Sequence, residues 1–442
     1  MHRRDACATK RMRILFISPN QCQLVFLPLP LGLASVVAAV APAHEVRVLD
    51  FMFLKDPLTE VDRAVAEFRP EVVGISVRNI DNQESRNTEV YFPQVKELVD
   101  RLKATTPAPI VLGGAGFSVA PHEFMAFTWA DFGIVGEGEE SFVRFLQALP
   151  EQGWEKVPGL MWRQDEGLRE NPLQPIRRLQ ELTRPSLEYF SPQVYHETPG
   201  SAGLPGAIPV QSRRGCPMRC IYCTTPFLEG AATRTWEPEQ VASWLASWYE
   251  KWGLERFHFV DNIFNCPPEY GRRLCRAIAA LRLPLAWLCL INPAFPDPEL
   301  FRLIRAAGGA MAQVGNESGS ELVLRGLGKG FGLQQVERTL KLLKEADLPF
   351  TCFLLLGGPG ETRETVQESV AFLEKYEPKM VNLQVGIRIH PSLPLHRLAL
   401  AEGVVKPEDN LLWPRFYLAP GLREWIWDYL AEVTARHPNW LM

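Results

Sequence analysis

"RRGCPMRCIYC", residues 213–223, places Cys216, Cys220 and Cys223 at C-x3-C-x2-C spacing, three of the chain's nine cysteines within eight positions. Glycine, proline and arginine surround them. The other six, Cys7, Cys22, Cys266, Cys275, Cys289 and Cys352, are scattered, and most sit in apolar surroundings that suit inert core thiols. Three thiolates are one short of the four ligands that close a structural zinc site. Cubane iron–sulfur clusters are held by cysteine thiolates, usually four. With three, one iron keeps an open position where a substrate or cofactor can bind. Zinc stays open as an alternative if Cys266, Cys289 or His258 supplies a fourth ligand.

Working outward, the cysteines follow "AIPVQS", the first strand candidate of a repeating pattern from about residue 206. "RFHFVD", "LAWLCLI", "AMAQVG", "FTCFLLL" and "MVNLQVGI" continue it, with helical segments such as "PEQVASWLASWYEKW" and "LQQVERTLKLLKEA" between them. Six β/α units predict a partial (β/α)6 barrel over 206–395, and barrels keep their chemistry at the carboxyl ends of the strands. Trp244, Trp248 and Trp252 recur every four residues on one helix, which suits packing, and His258 falls within a strand as a satisfied barrel residue. Residues 396–442 read as a helix plus tail.

Upstream, residues 12–150 alternate strand and helix: "RILFIS", "EVRVLD", "VVGISV", "PIVLGG" and "FGIVGE" are the strands. Five such units predict a doubly wound parallel sheet, whose ligands bind outside the carboxyl ends. Those ends are "SPN" (18–20), "SVRNIDNQ" (76–83), "GGAGFS" (113–118) and "GEGEES" (136–141). No G-x-G-x-x-G follows the first strand, so a dinucleotide is not indicated. Gly113, Gly114 and Gly116 would let a flat, bulky ligand lie on the backbone. Glu139 and Glu140 at a helix start argue against a phosphate there. Residues 151–205 lose the alternation and read as a connector, with a small hairpin turning at Asp165–Gly167.

Composition narrows the function classes. With 46% hydrophobic and 22% charged residues over 442 positions, the chain has the balance of a soluble globular protein. A net charge of −4 provides no bulk field toward nucleic acid or acidic lipid. The basic opening "MHRRDACATKRMR" has no apolar run behind it and is not read as a signal peptide. The apolar run Leu24–Val40 is broken by Pro28, Pro30 and Gly32, so no bilayer span is expected. A cytoplasmic monomer is expected.

"GCPMRCIYC" resembles the signature of radical S-adenosylmethionine (SAM) enzymes. The resemblance implies that Cys216, Cys220 and Cys223 bind a [4Fe–4S] cluster, that SAM chelates the open iron, and that Tyr222 lies against the adenine. It extends over about 205–400. "FVDNIF" matches the loop after the second strand, with Asp261 and Asn262 as candidates for the SAM amino group. "VGNESGSELVLRGLGKG" resembles the fourth-strand segment, with Glu317 and Ser318 near the ribose or carboxylate. "LLLGGPGETRE" resembles the fifth-strand glycine turn, in which Gly357 and Gly358 let backbone approach the adenine. "GIRIHPSLPL" resembles the sixth-strand end, with Arg388 facing the site.

The front region resembles the cobalamin-binding domain of B12-dependent radical SAM enzymes, through "PLGLASVVAAV", "PEVVGISV", "IVLGGAGFS" and "DFGIVGEGEESF". It implies a corrin seated among Ser76, Arg78, Gly113, Gly114, Gly116, Gly136 and Glu137. The D-x-H-x2-G motif whose histidine ligates cobalt is absent from the sequence. "SVRNIDN" is similar to segments of tryptophan C-methyltransferase-type members. Arg78 is then expected near the lower face of the corrin, where a guanidinium, which only donates, discourages a lower ligand. The alternative is that Arg78 salt-bridges Asp81 or Glu84.

The resemblance implies an enzyme that methylates carbon, or less often phosphorus, in a small molecule or peptide, with an external flavodoxin- or ferredoxin-type electron donor. SAM would serve twice, methylating cob(I)alamin and yielding a 5′-deoxyadenosyl radical at the cluster; a tryptophan-methyltransferase-like variant would use polar transfer. The alternatives are a non-methylation reaction (cyclisation, ring contraction or transfer of another SAM-derived group) and a non-catalytic cobalamin-binding module.

Overall fold

The computed structural model describes residues 11–22, 27–165, 167–198 and 204–442; the first ten residues, including Cys7, and most of "TPGSAGLPG" lie outside them. The front sheet begins with β1 (Arg13–Ser18), β2 (Glu45–Asp50), β3 (Val72–Ser76), β4 (Ile110–Gly113) and β5 (Phe132–Ile134), all parallel, in the order β2-β1-β3-β4-β5. The inner strands β1, β3 and β4 are rich in buried Val, Ile and Leu because both faces are covered, while β2 at the edge carries Glu45, Arg47 and Asp50. Side chains alternate along β1: Ile14 and Phe16 join the core under the helices Leu31–Val40 and Gly138–Ala148. Leu15 and Ile17 join the opposite core, under Pro57–Phe68 and Phe92–Thr105. The winding reverses between β1 and β3, so the loops after these two strands flank the crevice where such sheets take ligands.

The expected hairpin forms, β6 (Leu160–Gln164) against β7 (Gly167–Glu170), with Gln164 opposite Gly167. It does not stay in a connector. β6 pairs antiparallel with β5, so the front sheet has seven strands. Tyr195, on the short helix Pro192–Glu197, then ties the following segment down by donating to Asp50 at 2.5 Å.

β8 (Ile208–Val210) opens the second sheet. β9 (Arg213–Arg214) and β10 (Arg234–Thr235) pair antiparallel and close the neck of the cysteine loop. β11 (Arg256–Phe259), β12 (Ala286–Ile291), β13 (Gly309–Glu317), β14 (Phe350–Leu356) and β15 (Met380–Val385) continue parallel from β8. The six β/α units are as expected. Beyond them, β16 (Ile387–Arg388) pairs with β17 (Phe416–Tyr417), and the tail adds β18 (Trp440–Leu441) beside β15 as a seventh barrel strand. The Trp helix, Pro238–Trp252, starts on a proline and stops at Gly253, whose φ of 69° is the left-handed C-terminal stop. Trp244 and Trp248 are buried, and Trp248 stacks on Phe257 with centroids 6.2 Å apart, so this stripe is packing.

Candidate active site

The cysteine loop is held from below before any cofactor is considered. Asp261, at the end of β11, is wholly buried; it accepts N–H bonds from Ser212 (2.7 Å) and Arg213 (3.1 Å) and the Ser212 hydroxyl at 2.5 Å. Burial pushes its pKa up, against these donors and the nearby Arg213 guanidinium. Asp261 therefore anchors the strand leading into the loop and does not face an open site, contrary to the expectation that it meets the SAM amino group. Gly215 has φ 87°, and a Cβ there would lie 2.2 Å from the Ala232 carbonyl oxygen, so only glycine can precede Cys216. The Gly215 N–H donates to Glu229 at 2.9 Å. Asn262 donates to the same carboxyl at 2.7 Å and accepts from Thr225 at 3.0 Å, which holds it beside the loop.

Cys216 is buried, while Cys220 and Cys223 are half-buried. Burial pushes the Cys216 thiol up to about 11, and Cys223 and Cys220 add to it, so the three share one electrostatic neighbourhood. Iron binding would deprotonate such thiols outright. Among the described residues no three His, Cys, Asp or Glu side chains gather as one metal ion needs. Three thiolates on one loop suit a cubane, which takes each on a different iron.

The turn 327–330 covers the loop. Ile221 N–H donates to the Leu327 carbonyl at 3.1 Å, and a Cβ on Gly328 (φ 69°) would lie 2.9 Å from the Arg219 carbonyl oxygen. Lys329, whose side chain is only 6% exposed, donates to the Tyr222 hydroxyl at 2.8 Å and pairs with Glu317 at 3.3 Å. Burial pushes the Cys220 thiol up; Lys329 pulls it down, while Cys223 and Glu317 push it further up. Lys329 lies within "VGNESGSELVLRGLGKG", where nothing in the local sequence marks a partner 107 positions away.

Elsewhere in the barrel the outcome divides. Gly357 (φ 95°) and Gly358 form the expected turn, and both N–H groups donate to Glu361, at 3.0 Å for Gly358. Burial lifts the Glu361 carboxyl to about 7, against these two donors. Its position three residues past the second glycine was the missed signal. Ser318 does not face a ribose: it is fully buried, 3.0 Å from the Ser369 hydroxyl, and accepts from Ser320 N–H. Arg388 does not face the site either. Its guanidinium is buried against Asp81 (2.8 Å) and the carbonyls of Ile389 and Leu411, a strut between barrel and front domain.

Two cavities, of about 390 and 420 Å3, open at the carboxyl ends of the front strands and share Arg78. Ser76, Gly113, Gly114, Gly136 and Glu137 line the first, and the barrel contributes Pro209, Gln211, Arg214, Glu229 and His258. His258 lies 3.1 Å from the Gln313 side chain, a partnered barrel residue that also borders this cavity. Gly113 has room: its nearest neighbour to an added Cβ is Ile134 O at 3.7 Å. Gly114 and Gly116 answer to the protein, since a Cβ would lie 2.5 Å from Val77 O and 2.9 Å from Arg78 O. Arg78 donates to Asn79 at 3.0 Å. Its guanidinium reaches the cavity surface yet is ringed by protein; this burial opposes its charge, which Cys22 and Tyr195 favour. Asp81 is taken by Arg388, so the alternative pairing of Arg78 with it fails. A cleft walled by both domains, with glycine along one side, fits a corrinoid.

One buried charge network joins the halves. Arg214, two residues before Cys216, pairs with Glu139 at 2.5 Å and Glu137 at 3.1 Å; Arg234 reaches Glu137 at 2.8 Å. Burial opposes the Arg214 charge, but the two carboxylates outweigh it and hold it charged. Glu137, expected to touch the cofactor, thus lines the cavity with its carboxyl engaged by two arginines and the Ile176 N–H.

A cleft walled by both domains and bordered by the base of a three-cysteine loop on a partial barrel suits a two-cofactor enzyme, and the family comparisons agree. The model described as Radical SAM superfamily matches residues 210–373, and that of the B12 binding domain matches residues 24–146. The chain thus carries a radical SAM domain and a B12-binding domain, which imply a [4Fe–4S] cluster, SAM and cobalamin as cofactors. It is 24% identical to the tryptophan 2-C-methyltransferase of Streptomyces laurentii, covering 88% of this chain and 74% of that one. It is 24% identical to the cytidylyl-2-hydroxyethylphosphonate methyltransferase of Streptomyces wedmorensis, covering 92% and 85%. It is 25% identical to the anaerobic magnesium-protoporphyrin IX monomethyl ester cyclase of Synechocystis, covering 76% and 67%. In fold it matches the radical SAM methyltransferase TsrM from Kitasatospora setae, with cobalamin and a [4Fe–4S] cluster bound, at a TM-score of 0.84, 23% identity and coverage of 98% and 93%. No helix among the described residues is long and apolar enough to cross a membrane.

Proposed function

We propose that this enzyme moves a methyl group from SAM, by way of cobalamin, to a carbon of a small molecule or peptide, with phosphorus the less favoured acceptor. The observation that carries the reading is the seam: the residue pair that opens the cysteine loop is bound to the wall of the glycine-lined cleft through Arg214, Glu137 and Glu139. When bound, cobalamin supplies a methyl carrier, SAM the methyl group, and the cluster an electron for SAM cleavage. The chain's residues hold and orient. Cys216, Cys220 and Cys223 hold the cluster. Tyr222 and the Gly357–Gly358 turn border the adenosine, with Glu317 toward its polar end and Asn262 beside the loop. Ser76, Gly113, Gly114 and Gly136 would seat the corrin, with Arg78 beside it, a guanidinium that has no lone pair to offer a metal. Closure of the cleft between two cores excludes water from the reacting atoms.

The tryptophan and phosphonate methyltransferase relatives support methyl transfer; the cyclase relative favours, as a second reading, another reaction on the same cofactors. We take the electron from an external flavodoxin- or ferredoxin-type donor and the enzyme as a cytoplasmic monomer, which gel filtration of the loaded protein checks for mass. The deciding experiment is anaerobic reconstitution with iron, sulfide and hydroxocobalamin, followed by SAM and a reductant. S-adenosylhomocysteine among the products is expected. 5′-Deoxyadenosine alone would transfer support to the second reading, and the absence of both would defeat the proposal.

A further inference from the structure

Lys329 is a buried cation with no part in the reading so far, and its surroundings give it one. Its ammonium is fixed by two partners, the Tyr222 hydroxyl at 2.8 Å and Glu317 at 3.3 Å, and it lies over the rings of Tyr222 (5.3 Å) and Phe331 (5.7 Å). Tyr222 sits between Cys220 and Cys223 in the chain. The backbone on either side of Lys329 is locked to the same loop, through the bond from Ile221 N–H to Leu327 and the close approach of Gly328 to Arg219 before it, and of Gly330 to Met218 after it. A lysine that merely covered the loop would run its stem along the surface and keep its head in water. This one is buried to the tip. A buried ammonium is tolerated where opposite charge meets it. Glu317 meets it at 3.3 Å, and the Tyr222 hydroxyl holds it at 2.8 Å to the residue that stands between Cys220 and Cys223.

We infer that Lys329 is a positioning residue that sets the reduction potential of the cluster, its charge stabilising the more negative, one-electron-reduced state, with Glu317 as the opposing charge that trims the effect. The inference rests on the assignment of the cluster to Cys216, Cys220 and Cys223. The physical argument is short. A cubane held by three thiolates gains one unit of negative charge when a one-electron donor reduces it; no bond breaks and no proton moves. A fixed positive charge bonded to the residue between two of its ligands, in a region sheltered from water, favours that state, and net charge around the cluster is one of the levers on its potential. Lys329 and Glu317 carry opposite charges 3.3 Å apart at the same loop, so they must act on the cluster with opposite sign.

The test is an anaerobic redox titration of the reconstituted protein, read by electron paramagnetic resonance, alongside iron and sulfide content, on Lys329→Gln, Lys329→Arg and Glu317→Gln. Lys329→Gln is expected to shift the reduction equilibrium about tenfold toward the oxidised cluster, about 59 mV for one electron. Lys329→Arg keeps the charge and is expected within about twofold of the parent, near 18 mV on the same constant. Glu317→Gln is expected to move the equilibrium the other way. An unchanged potential in Lys329→Gln at full iron content overturns the inference, as does a shift of the same sign in Glu317→Gln, which marks a packing role. If Lys329→Gln fails to hold iron, Glu317→Gln decides: an upward shift supports the inference, and none or a downward one overturns it. A parent protein that binds no cluster defeats the assignment itself, a different failure from a cluster whose potential ignores Lys329.

Discussion

The cluster side and the corrin side of the cleft are built on opposite terms. Around the cysteine loop almost every polar group has a partner: Asp261, Glu229, Asn262, Lys329 and Tyr222 form a closed scaffold. Across the cleft, the front domain presents open volume, glycine and an arginine whose bonded partner among these contacts is its neighbour Asn79. The difference follows from how each group is held. Thiolate–iron bonds are short and directional, so the loop must be shaped in advance. A corrinoid is gripped by shape over a wide surface, so the protein must above all leave room.

That contrast can be broken one side at a time. Alanine at Cys216, Cys220 or Cys223 carries the largest expected effect: loss of cluster iron and of SAM turnover, roughly a thousandfold or more, with cobalamin binding kept. Iron, sulfide and corrin assays on one preparation check it. Next comes the seam. Arg214→Met leaves Glu137 and Glu139 buried without this partner, while Arg388→Met strands only Asp81. Breaking a buried pair costs about 3–5 kcal/mol, so denaturant unfolding should show the larger loss for Arg214→Met, with loosened binding of both cofactors. Gly113→Leu then tests the corrin side alone. Its φ lies outside the left-handed region and its Cβ has space, so the fold should hold while the side chain fills the cleft. Hydroxocobalamin should bind about ten- to a hundredfold more weakly, or about 1.4–2.7 kcal/mol, at unchanged iron content.

The smallest effect sharpens the scaffold side. The Glu361 carboxyl is raised by burial to about 7 in the folded protein. The folded state therefore binds more protons than the unfolded one between the ordinary carboxyl value and about 7, and stability falls as pH rises through that window. Glu361→Gln should flatten this limb of the stability profile, measured by thermal unfolding from pH 5 to 8.

Legibility in the sequence followed the range of the interaction. The β/α alternation, the hairpin at Asp165–Gly167 and the Trp stripe are local, and all three formed as read. The glycine turn at 357–358 was equally readable. The family resemblance points Asp261, Ser318 and Arg388 toward the ligand, yet each is turned inward, because a strand-end side chain faces a ligand or a neighbour according to what packs behind it. Arg388 found Asp81, 307 positions away, and Lys329 found Tyr222, 107 away. No motif spans such distances.

By itself, then, the sequence determined the two β/α alternations and the C-x3-C-x2-C loop, since strand period, glycine and thiol spacing act within a few residues of backbone, while the cofactor classes came with the family resemblance. Which charges stand beside the cluster and which hold the domains together was decided only when the chain closed: buried ions must find counter-charges, and folding alone brings residues from distant segments within reach of one another.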